Sequence, residues 1–309
     1  MLHDSSPQSP SPSVSVVVPT RNRANHAFAC VQTILANSGF EELVVVDQSD
    51  GPETEQALTN LSDPRIRYIH SESRGVTRGR NIGIEATSGE IVAFTDDDCR
   101  VAPDWISNIA RVFAEDPQVA VVCGRVRIPD DIQSLGFAQS FEPMIREWQN
   151  AYPPFGSDWG ITANLAVRRS ELARIGTFDP MLGSGAPMRA GEEPDFLFRA
   201  LKSGVKIVNA TEVLVDHLGI RRPGKEASTL VRGYGLGTGA ALFKHVRLGD
   251  PEGAAVYLKF FGASVRRVYS NVVTGNRPLG LGFLAAFVSG TITSYKFRVD
   301  REQRQYVAR

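Results

Sequence analysis

Three consecutive carboxylates, Asp96, Asp97 and Asp98, follow an apolar, strand-like run at residues 92–95. Such a cluster repels itself unless a divalent cation lies among its oxygens, and hard carboxylate oxygens suit Mg²⁺ or Mn²⁺. Alternation along an extended chain would place Asp96 and Asp98 on one side and Asp97 on the other. The alternative is a solvated turn in which Asp98 or Asp104 caps the next helix. The position after a buried strand favours a ligand site, because open α/β sheets bind ligands at the carboxyl ends of their strands.

A second acidic group, Glu192, Glu193 and Asp195, opens a predicted helix. Pro194 suits the first helical turn, and the N-terminal end of the helix dipole favours anionic side chains. A carboxylate here could act as a general base. Acidic residues are also common at helix starts, so the residues alone leave both readings open.

Four single residues could bind ligands, and each has an ordinary structural alternative. Asp47 could accept a hydrogen bond from a base or ribose, or simply end a strand in a turn. Arg80 could bind a diphosphate bidentately, or lie on a solvated helix face. His217 could supply an imidazole to a metal or diphosphate, or be a surface histidine. Trp159 could stack on a sugar ring, or be a packing residue.

Strand and helix alternate along the first half of the chain, which predicts a doubly wound, mostly parallel α/β sheet. Strands are predicted at residues 14–18, 43–46, 66–70, 90–95, 119–122 and 163–167, with edge strands at 206–209 and 212–215. Helices are predicted at residues 25–37, 53–61, 77–87, 105–113, 169–175 and 193–203. Asn81 and Gly83 are expected to fix helix packing. Loops at 129–158 and 183–190 are expected to face the substrate.

Residues 16–23, 44–47, 75–83 and 95–98, in this order and spacing, resemble the nucleotide half of glycosyltransferase family 2, an inverting GT-A family. The resemblance covers about residues 14–217. It implies a GT-A fold that transfers a sugar from a nucleotide-diphosphate sugar to an acceptor hydroxyl with inversion. UDP is the family's commonest nucleotide, and GDP and dTDP remain open. Polysaccharide, glycolipid or cell-surface glycan synthesis is the expected setting.

The resemblance also implies roles for single residues. The metal, Mn²⁺ or Mg²⁺, would be held by Asp98 and His217, while Asp96 would contact either the ribose or the metal through water. Glu193 takes the place of the family's general base, commonly an Asp, with Glu192 and Asp195 as alternatives. The acceptor would contact Trp159 and Asn164, in a segment similar to the family's Gly-x-Asn strand. The nucleotide sugar would contact Pro19, Thr20, Arg21, Arg23, Asp47 through the base, Arg80, Asp96 and Asp97.

Two rival functions remain. A nucleotidyltransferase also joins a doubly wound sheet to carboxylate-bound metal, but it would need a glycine-rich phosphate loop after the first strand, and residues 19–22 are not glycine-rich. A non-catalytic sugar- or membrane-binding protein on a degenerate GT-A fold would bind the nucleotide without turnover.

Composition indicates an ordinary globular protein, with 42% apolar and 22% charged residues. The three cysteines lack the spacing of a zinc site or disulfide scaffold, which favours a cytoplasmic protein. Residues 1–13 are rich in Ser and Pro and predict a disordered tail rather than a secretory signal peptide.

A boundary is expected near residue 219, after a GT-A domain at 14–218 with a nucleotide half at 14–128 and an acceptor half at 129–218. The basic helical region at 219–309 carries 15 Lys and Arg against 5 Asp and Glu, a balance of +10. This charge suits an anionic surface, so we expect peripheral binding to the inner face of the cytoplasmic membrane. The expected acceptor is an unknown glycan or lipid-linked molecule. No nucleic-acid partner is expected.

Two segments of this region bear on how its helices are placed. Residues 233–239 contain four glycines but do not follow a strand as a nucleotide loop would, so they are expected to let helices approach closely. Residues 278–295 carry no charge and lie at the lower length limit for a membrane span. Their glycine, serine and threonine residues favour an interfacial or buried helix instead.

Overall fold

The computed structural model describes residues 11–149, 160–274 and 280–307. The strands in these ranges are β1 Val14–Thr20, β2 Glu42–Asp47, β3 Ile66–His70, β4 Ile91–Phe94, β5 Cys99–Val101, β6 Val119–Arg127, β7 Glu147–Gln149, β8 Leu165–Arg168, β9 Lys206–His217, β10 Arg298–Asp300 and β11 Gln305–Val307. The α-helices are α1 Ala24–Leu35, α2 Glu53–Thr59, α3 Val76–Ala86, α4 Trp105–Glu115, α5 Asp130–Gln133, α6 Leu172–Ile175, α7 Glu192–Lys202, α8 Lys225–Arg247, α9 Pro251–Val273 and α10 Leu281–Ser294.

Nine strands form one mixed, mostly parallel sheet, which confirms the predicted α/β class. Along the sheet the order is β3, β2, β1, β4, β8, β6, β9, β5, with β7 also paired to β9. The first four strands run parallel, and β8 lies antiparallel between β4 and β6. β1 and β4 are buried along their whole length, as expected for strands whose two faces are covered.

The prediction of two edge strands at residues 206–209 and 212–215 is wrong. β9 is one strand inside the sheet, with β6 on one side and β7 and β5 on the other. Its pairing with β6 shifts register after Ala210 and resumes at Leu214. The polar residues in that irregular stretch interrupt the apolar pattern, which made one strand look like two.

α3 packs directly on β1. A Cβ at Gly83 would overlap the side chain of Val17, so only glycine allows this approach. The Asn81 amide donates to the Phe178 carbonyl at 2.8 Å and accepts from the Phe178 N–H at 3.0 Å. The predicted packing roles of Asn81 and Gly83 are therefore confirmed.

α4 begins without the cap that the alternative interpretation of the acidic turn required. Asp104 stands at the N-cap position, but its side chain makes no capping hydrogen bond in the described structure. The helix is held by its buried apolar face instead, through Trp105, Ile109 and Phe113.

The helices after residue 219 pack through glycines. A Cβ at Gly235 or Gly239 on α8 would overlap the backbone carbonyls of Phe283 or Phe287 on α10. A Cβ at Gly290 would overlap the carbonyl of Leu236 in the same way. The close approach predicted for residues 233–239 is confirmed.

α10 occupies most of the uncharged segment at residues 278–295. One side of it packs on α8, while Leu281 and Ile292 are exposed. Of the helices that the structure describes, none combines the length and apolar character needed to cross a bilayer.

Candidate active site

A cavity of about 380 Å³ lies where the carboxyl ends of β1, β4 and β9 meet. These strands share one direction, so the residues that follow them gather at one edge of the sheet. The starts of α3 and α7 complete the lining. The sequence-predicted residues brought together here are Pro19, Thr20, Arg21, Arg23, Arg80, Asp96, Asp97, Asp98, Glu192, Glu193 and His217.

All three carboxylates of the acidic triplet line this cavity. β4 ends at Phe94, so the acids lie in a turn where strand alternation no longer applies. The expectation that Asp97 points away from Asp98 is therefore wrong. The Thr20 hydroxyl donates to Asp97 at 2.8 Å, and one nitrogen of Arg23 lies 2.9 Å from Asp97 and 3.0 Å from Asp98.

Asp98 is paired with His217 at the end of β9. His217 Nε2 lies 3.4 Å from Asp98 Oδ1, while Nδ1 is 2.9 Å from the Gln139 carbonyl oxygen. Burial acts to raise the pKa of Asp98, but hydrogen bonding and charge from His217, with the charge of Arg23, hold it well below its usual range. Burial acts to lower the pKa of His217, and the contact with Asp98 outweighs it, so the net shift is upward.

These residues fit a hard divalent cation. Asp98, Cys99 and His217 each place a ligand atom within 4.8 Å of the others. The Cys99 thiol is a poor ligand, because burial and the nearby carboxylates raise its pKa well above the usual range and keep it protonated. Gly219 leaves space beside this carboxylate of Asp98, since a Cβ there would overlap Asp98 Oδ2. The remaining oxygen and nitrogen donors suit Mn²⁺ or Mg²⁺.

Arg80 is the buried cation of the cavity, with 1% of its surface exposed. Its Nη2 lies 2.6 Å from Asp96 Oδ1, and its Nη1 lies 3.7 Å from Glu192 Oε1. Nη1 and Nε have no hydrogen-bond partner among the described residues. Unpaired buried donors are costly, so this guanidinium is suited to an anionic ligand that accepts from it.

The first turn of α7 presents Glu192 and Glu193 to the cavity. Burial raises the pKa of Glu192 to about 8, with repulsion from Glu193 adding to the shift and Arg80 opposing it. Glu192 therefore holds a proton at neutral pH. Glu193 is only partly buried and accepts a hydrogen bond from the Thr162 hydroxyl at 2.9 Å, so it is the acid of this pair suited to remove a proton.

Asp195 is not brought to the cavity. It is fully buried on the other side of α7, where its carboxylate contacts Arg199 at 3.1 Å, Lys244 at 2.7 Å and His245 at 3.0 Å. The charges of Lys244 and Arg199, together with the hydrogen bond from His245, outweigh the effect of burial and lower the pKa of Asp195. Its partners assign it a structural role, so the structure does not support Asp195 as an alternative base.

Asp47 also lies outside the cavity lining. It is fully buried, and its carboxylate accepts hydrogen bonds from the Ser49 backbone N–H at 2.9 Å and the Tyr68 hydroxyl at 2.9 Å, with the Ser49 hydroxyl as a further donor. The nucleobase contact stays a prediction that these internal partners do not support.

Asn164, one of the two acceptor residues predicted from sequence, does not line the cavity. Asn164 is 1% exposed, accepts from the Trp105 indole at 2.8 Å, and donates to the carbonyls of Arg125 and Val213 at 2.8 Å each. Those bonds tie β6, β9 and α4 together. Trp159 lies outside the described residues.

Several lining residues were missed by sequence reasoning. Arg189 lies in the loop at 183–190, which does line the cavity as predicted, and its φ of 64° is uncommon for a bulky residue. Arg221 and Tyr234 come from the segment after residue 219, which sequence reasoning assigned to a separate basic region. No local signal links them to the acidic turn, because Arg221 is placed by a β-bridge to Phe137 and Tyr234 by the packing of α8.

The sequence is similar to those of known glycosyltransferases. The model of "Glycosyl transferase family 2" matches residues 15–174. The chain is 27% identical over 230 residues to a pre-mycofactocin glycosyltransferase of Mycobacterium tuberculosis, covering 70% of this chain and 45% of that protein. It is 26% identical over 229 residues to a glucosyl-dolichyl phosphate glucuronosyltransferase of Haloferax volcanii, covering 66% and 68%. The chain spans about half the length of the first curated relatives it matches.

Solved structures share the fold. A mannosyltransferase of Pyrobaculum calidifontis in complex with GDP-Man and Mn²⁺ has a TM-score of 0.61 at 18% identity, covering 92% of this chain and 87% of that one. At this identity the likeness shows the fold, which is that of GT-A glycosyltransferases. The family model covers more than half of the residues, including the β1 segment, the triplet and β8. On this evidence the chain belongs to glycosyl transferase family 2.

Proposed function

We propose that this glycosyltransferase moves a sugar from a nucleotide-diphosphate sugar, first of all a UDP-sugar, to an acceptor hydroxyl with inversion and with Mn²⁺ or Mg²⁺. The observation that carries the proposal is one cavity that joins Asp98 and His217, the candidate cation ligands, to the unpaired donors of Arg80 and to Glu193. The GDP-Man and Mn²⁺ in the Pyrobaculum structure support a nucleotide sugar and a divalent cation here.

On the donor side, Asp98 and His217 would hold the cation, with Asp96 reaching it through water or contacting the ribose. The cation would offset the charge of the departing diphosphate. Arg80 would donate its unpaired N–H groups to diphosphate oxygens, and Arg23 would add a second cation at the cavity edge. Pro19, Thr20, Arg21 and Asp97 would complete the walls around the nucleotide.

On the acceptor side, Glu193 would take the proton from the acceptor hydroxyl as its oxygen attacks the anomeric carbon. The bond from that carbon to the phosphate oxygen breaks, and the nucleotide diphosphate leaves with the electron pair. A single displacement inverts the configuration and needs no covalent intermediate. Glu192, whose raised pKa favours its protonated form, would donate a hydrogen bond to the ligand beside this base.

We further propose that the protein binds peripherally to the inner face of the cytoplasmic membrane and acts on a glycan or lipid-linked acceptor. Exposed apolar residues recur at spacings of three, four or seven positions on the outer sides of two helices. On α9 these are Leu258, Val265, Tyr269 and Val272, and on α10 they are Leu281, Val288 and Ile292, with Tyr295 directly after the helix. Together with the +10 balance after residue 219, this pattern suits an anionic lipid surface.

The anomeric configuration of the first product tests the mechanism. Donor hydrolysis, with water as the acceptor, can be followed by proton NMR before mutarotation. We expect the inverted sugar first, and a loss in kcat of about a hundredfold or more in Glu193→Gln. Glu85→Gln, an exposed change on α3, serves as the control and should keep wild-type turnover. A retained configuration, or a Glu193→Gln variant as active as the control, would overturn the proposal.

A further inference from the structure

A second cavity of about 240 Å³ adjoins the first. It lies between α8, α9 and the start of α10. Gln139, Ala190, Glu193 and Tyr234 line both cavities. The carboxylate proposed as the base therefore stands at the junction of the two.

The walls of the second cavity are mostly apolar. Aromatic rings come from Phe137, Phe260 and Phe283, and Ala263 lines the α9 side. Glu193 is the one acidic residue of the described lining, and Arg267 is the one basic residue. Such walls offer few partners to the many hydroxyls of a sugar, and they favour an apolar occupant.

One of the few polar groups in these walls is already occupied. The Ser264 hydroxyl donates to the Phe260 carbonyl at 2.9 Å within α9. A polyhydroxylated ligand would thus find fewer partners for its hydroxyls here than in water, at a cost that a hydrocarbon does not meet.

We propose that the second cavity binds the hydrocarbon chain of an amphipathic acceptor whose hydroxyl lies beside Glu193. This inference rests on the proposed function and assigns the acceptor its chemical class. Burial of the chain holds the acceptor, and the fixed position of its polar end brings the hydroxyl to the base.

The outer surface of the same helices supports a lipid rather than another apolar molecule. Phe260 and Ala263 line the cavity from α9, while Leu258 and Val265 of the same helix are exposed at 64% and 41%. Lys259 and Arg266 are exposed beside them. The cavity and the exposed surface, which is both basic and apolar, thus lie on the same helices. This is expected for a site that takes an acceptor from an anionic bilayer.

The test uses n-alkyl β-D-glucosides from butyl to decyl, below their micelle concentrations, and measures their binding by titration calorimetry. We expect the affinity of the wild type to rise about fourfold for each added methylene until the chain outgrows the cavity. Ala263→Trp should abolish this rise because the indole fills the cavity. Ala255→Trp, on the exposed side of the same helix, is the matched control and should keep it.

If the tryptophan variant fails to fold, the smaller change Ala263→Leu is measured in its place. We expect it to reduce the rise in affinity for each added methylene. A flat series in the wild type, or the same slope in Ala263→Trp as in Ala255→Trp, would overturn the inference. The inference would also be overturned if the wild type forms a dimer in sedimentation experiments and Ala263→Trp dissociates it. A second copy of the chain would then occupy the cavity. Nucleotide binding with Mn²⁺ is measured on the same samples, and its absence would count against the proposed function instead.

Discussion

At the scale of single residues, three acids at the start of α7 differ because their surroundings differ. Glu192 is buried beside a second carboxylate, Glu193 is partly buried at the junction of two cavities, and Asp195 is enclosed by cations. Their spacing explains the difference, since an α-helix turns about 100° per residue and places Glu193 and Asp195 on nearly opposite sides. The same short acidic segment thus supplies a carboxyl with a raised pKa, a candidate base and a buried carboxylate that binds neighbouring side chains.

Stability should depend on pH through Glu192. Its folded pKa of about 8 exceeds its usual 4.5, so its contribution to stability is full below about pH 4.5 and is lost as the pH rises through about 8. Glu192→Gln stays neutral. We expect its free energy of unfolding, relative to wild type, to be about 3 kcal/mol higher at about pH 9 than at about pH 6.

Urea unfolding at the two pH values measures this difference, with Glu85→Gln as the control. If the difference in the free energy of unfolding between Glu192→Gln and wild type is the same at both pH values, the pKa of Glu192 is not raised in the folded protein.

Gly219 should matter for metal binding although it carries no functional group. A Cβ there would overlap Asp98 Oδ2 and lie 3.1 Å from His217 Nε2. We expect Gly219→Ala to displace these ligands and weaken Mn²⁺-dependent nucleotide binding by about tenfold or more. Gly262→Ala, where a Cβ meets no atom within 4 Å, is the control. If calorimetry gives Gly219→Ala and Gly262→Ala the same affinity for the nucleotide with Mn²⁺, the assigned metal position is contradicted.

At the scale of elements, α7 and α8 are joined by a buried ion cluster. Lys244 Nζ lies 2.6 Å from Asp179 and 2.7 Å from Asp195, and all three side chains are fully buried. The Tyr306 backbone N–H also donates to Asp179 at 2.8 Å, so the C-terminal hairpin of β10 and β11 is tied to the same cluster. This cluster fixes the far side of the helix that presents Glu193.

Removal of Lys244 should therefore destabilise the fold. Lys244→Met leaves two buried carboxylates with less compensation, and we expect a loss of about 3 to 5 kcal/mol in the free energy of unfolding. Lys259→Met, at an exposed position on α9, should change it by less than about 0.5 kcal/mol. Equal urea midpoints for the two variants would mean that the cluster contributes little.

The elements most readily predicted were those with an unbroken pattern. β3 begins and ends where expected, at Ile66–His70, and α4 begins at Trp105. The short strands β5 and β7 were missed because three residues carry too little periodicity to be recognised. β9 was split because its irregular pairing admits polar residues. Such features depend on long-range pairing, which local sequence does not encode.

At the scale of the whole molecule, the site draws on both halves of the chain. The acidic triplet and Glu193 could be found from sequence because each follows or opens a recognisable element. Arg221 and Tyr234 could not, since Arg221 is placed by its β-bridge to Phe137 and Tyr234 reaches the cavity only when α8 packs beside α7. Asn164 was misassigned because a buried amide that bridges elements has the same sequence signature as one that binds a ligand.

The outer face of α9 and α10 should bind anionic membranes. We expect the protein to sediment with phosphatidylglycerol vesicles but not with phosphatidylcholine vesicles, and less so at high salt. Leu258→Glu combined with Ile292→Glu should weaken binding by more than about tenfold, because two exposed apolar anchors are lost.

The control adds the same charge elsewhere, at Gln56→Glu and Gln118→Glu, two exposed positions far along the chain from these helices. Equal loss in both double variants would indicate a net-charge effect without an apolar face. Carbonate extraction that leaves the protein in the membrane pellet would contradict peripheral binding.

The central claim is that Asp98 and a divalent cation hold the nucleotide diphosphate of a sugar donor. Titration calorimetry with UDP, GDP and dTDP, each with Mn²⁺ and with EDTA, tests it most directly on wild type and Asp98→Asn. We predict that one nucleotide binds the wild type with Mn²⁺, at least about tenfold more weakly with EDTA, and that Asp98→Asn removes this difference. Binding by none of the three, or binding that neither EDTA nor the substitution alters, would contradict the claim.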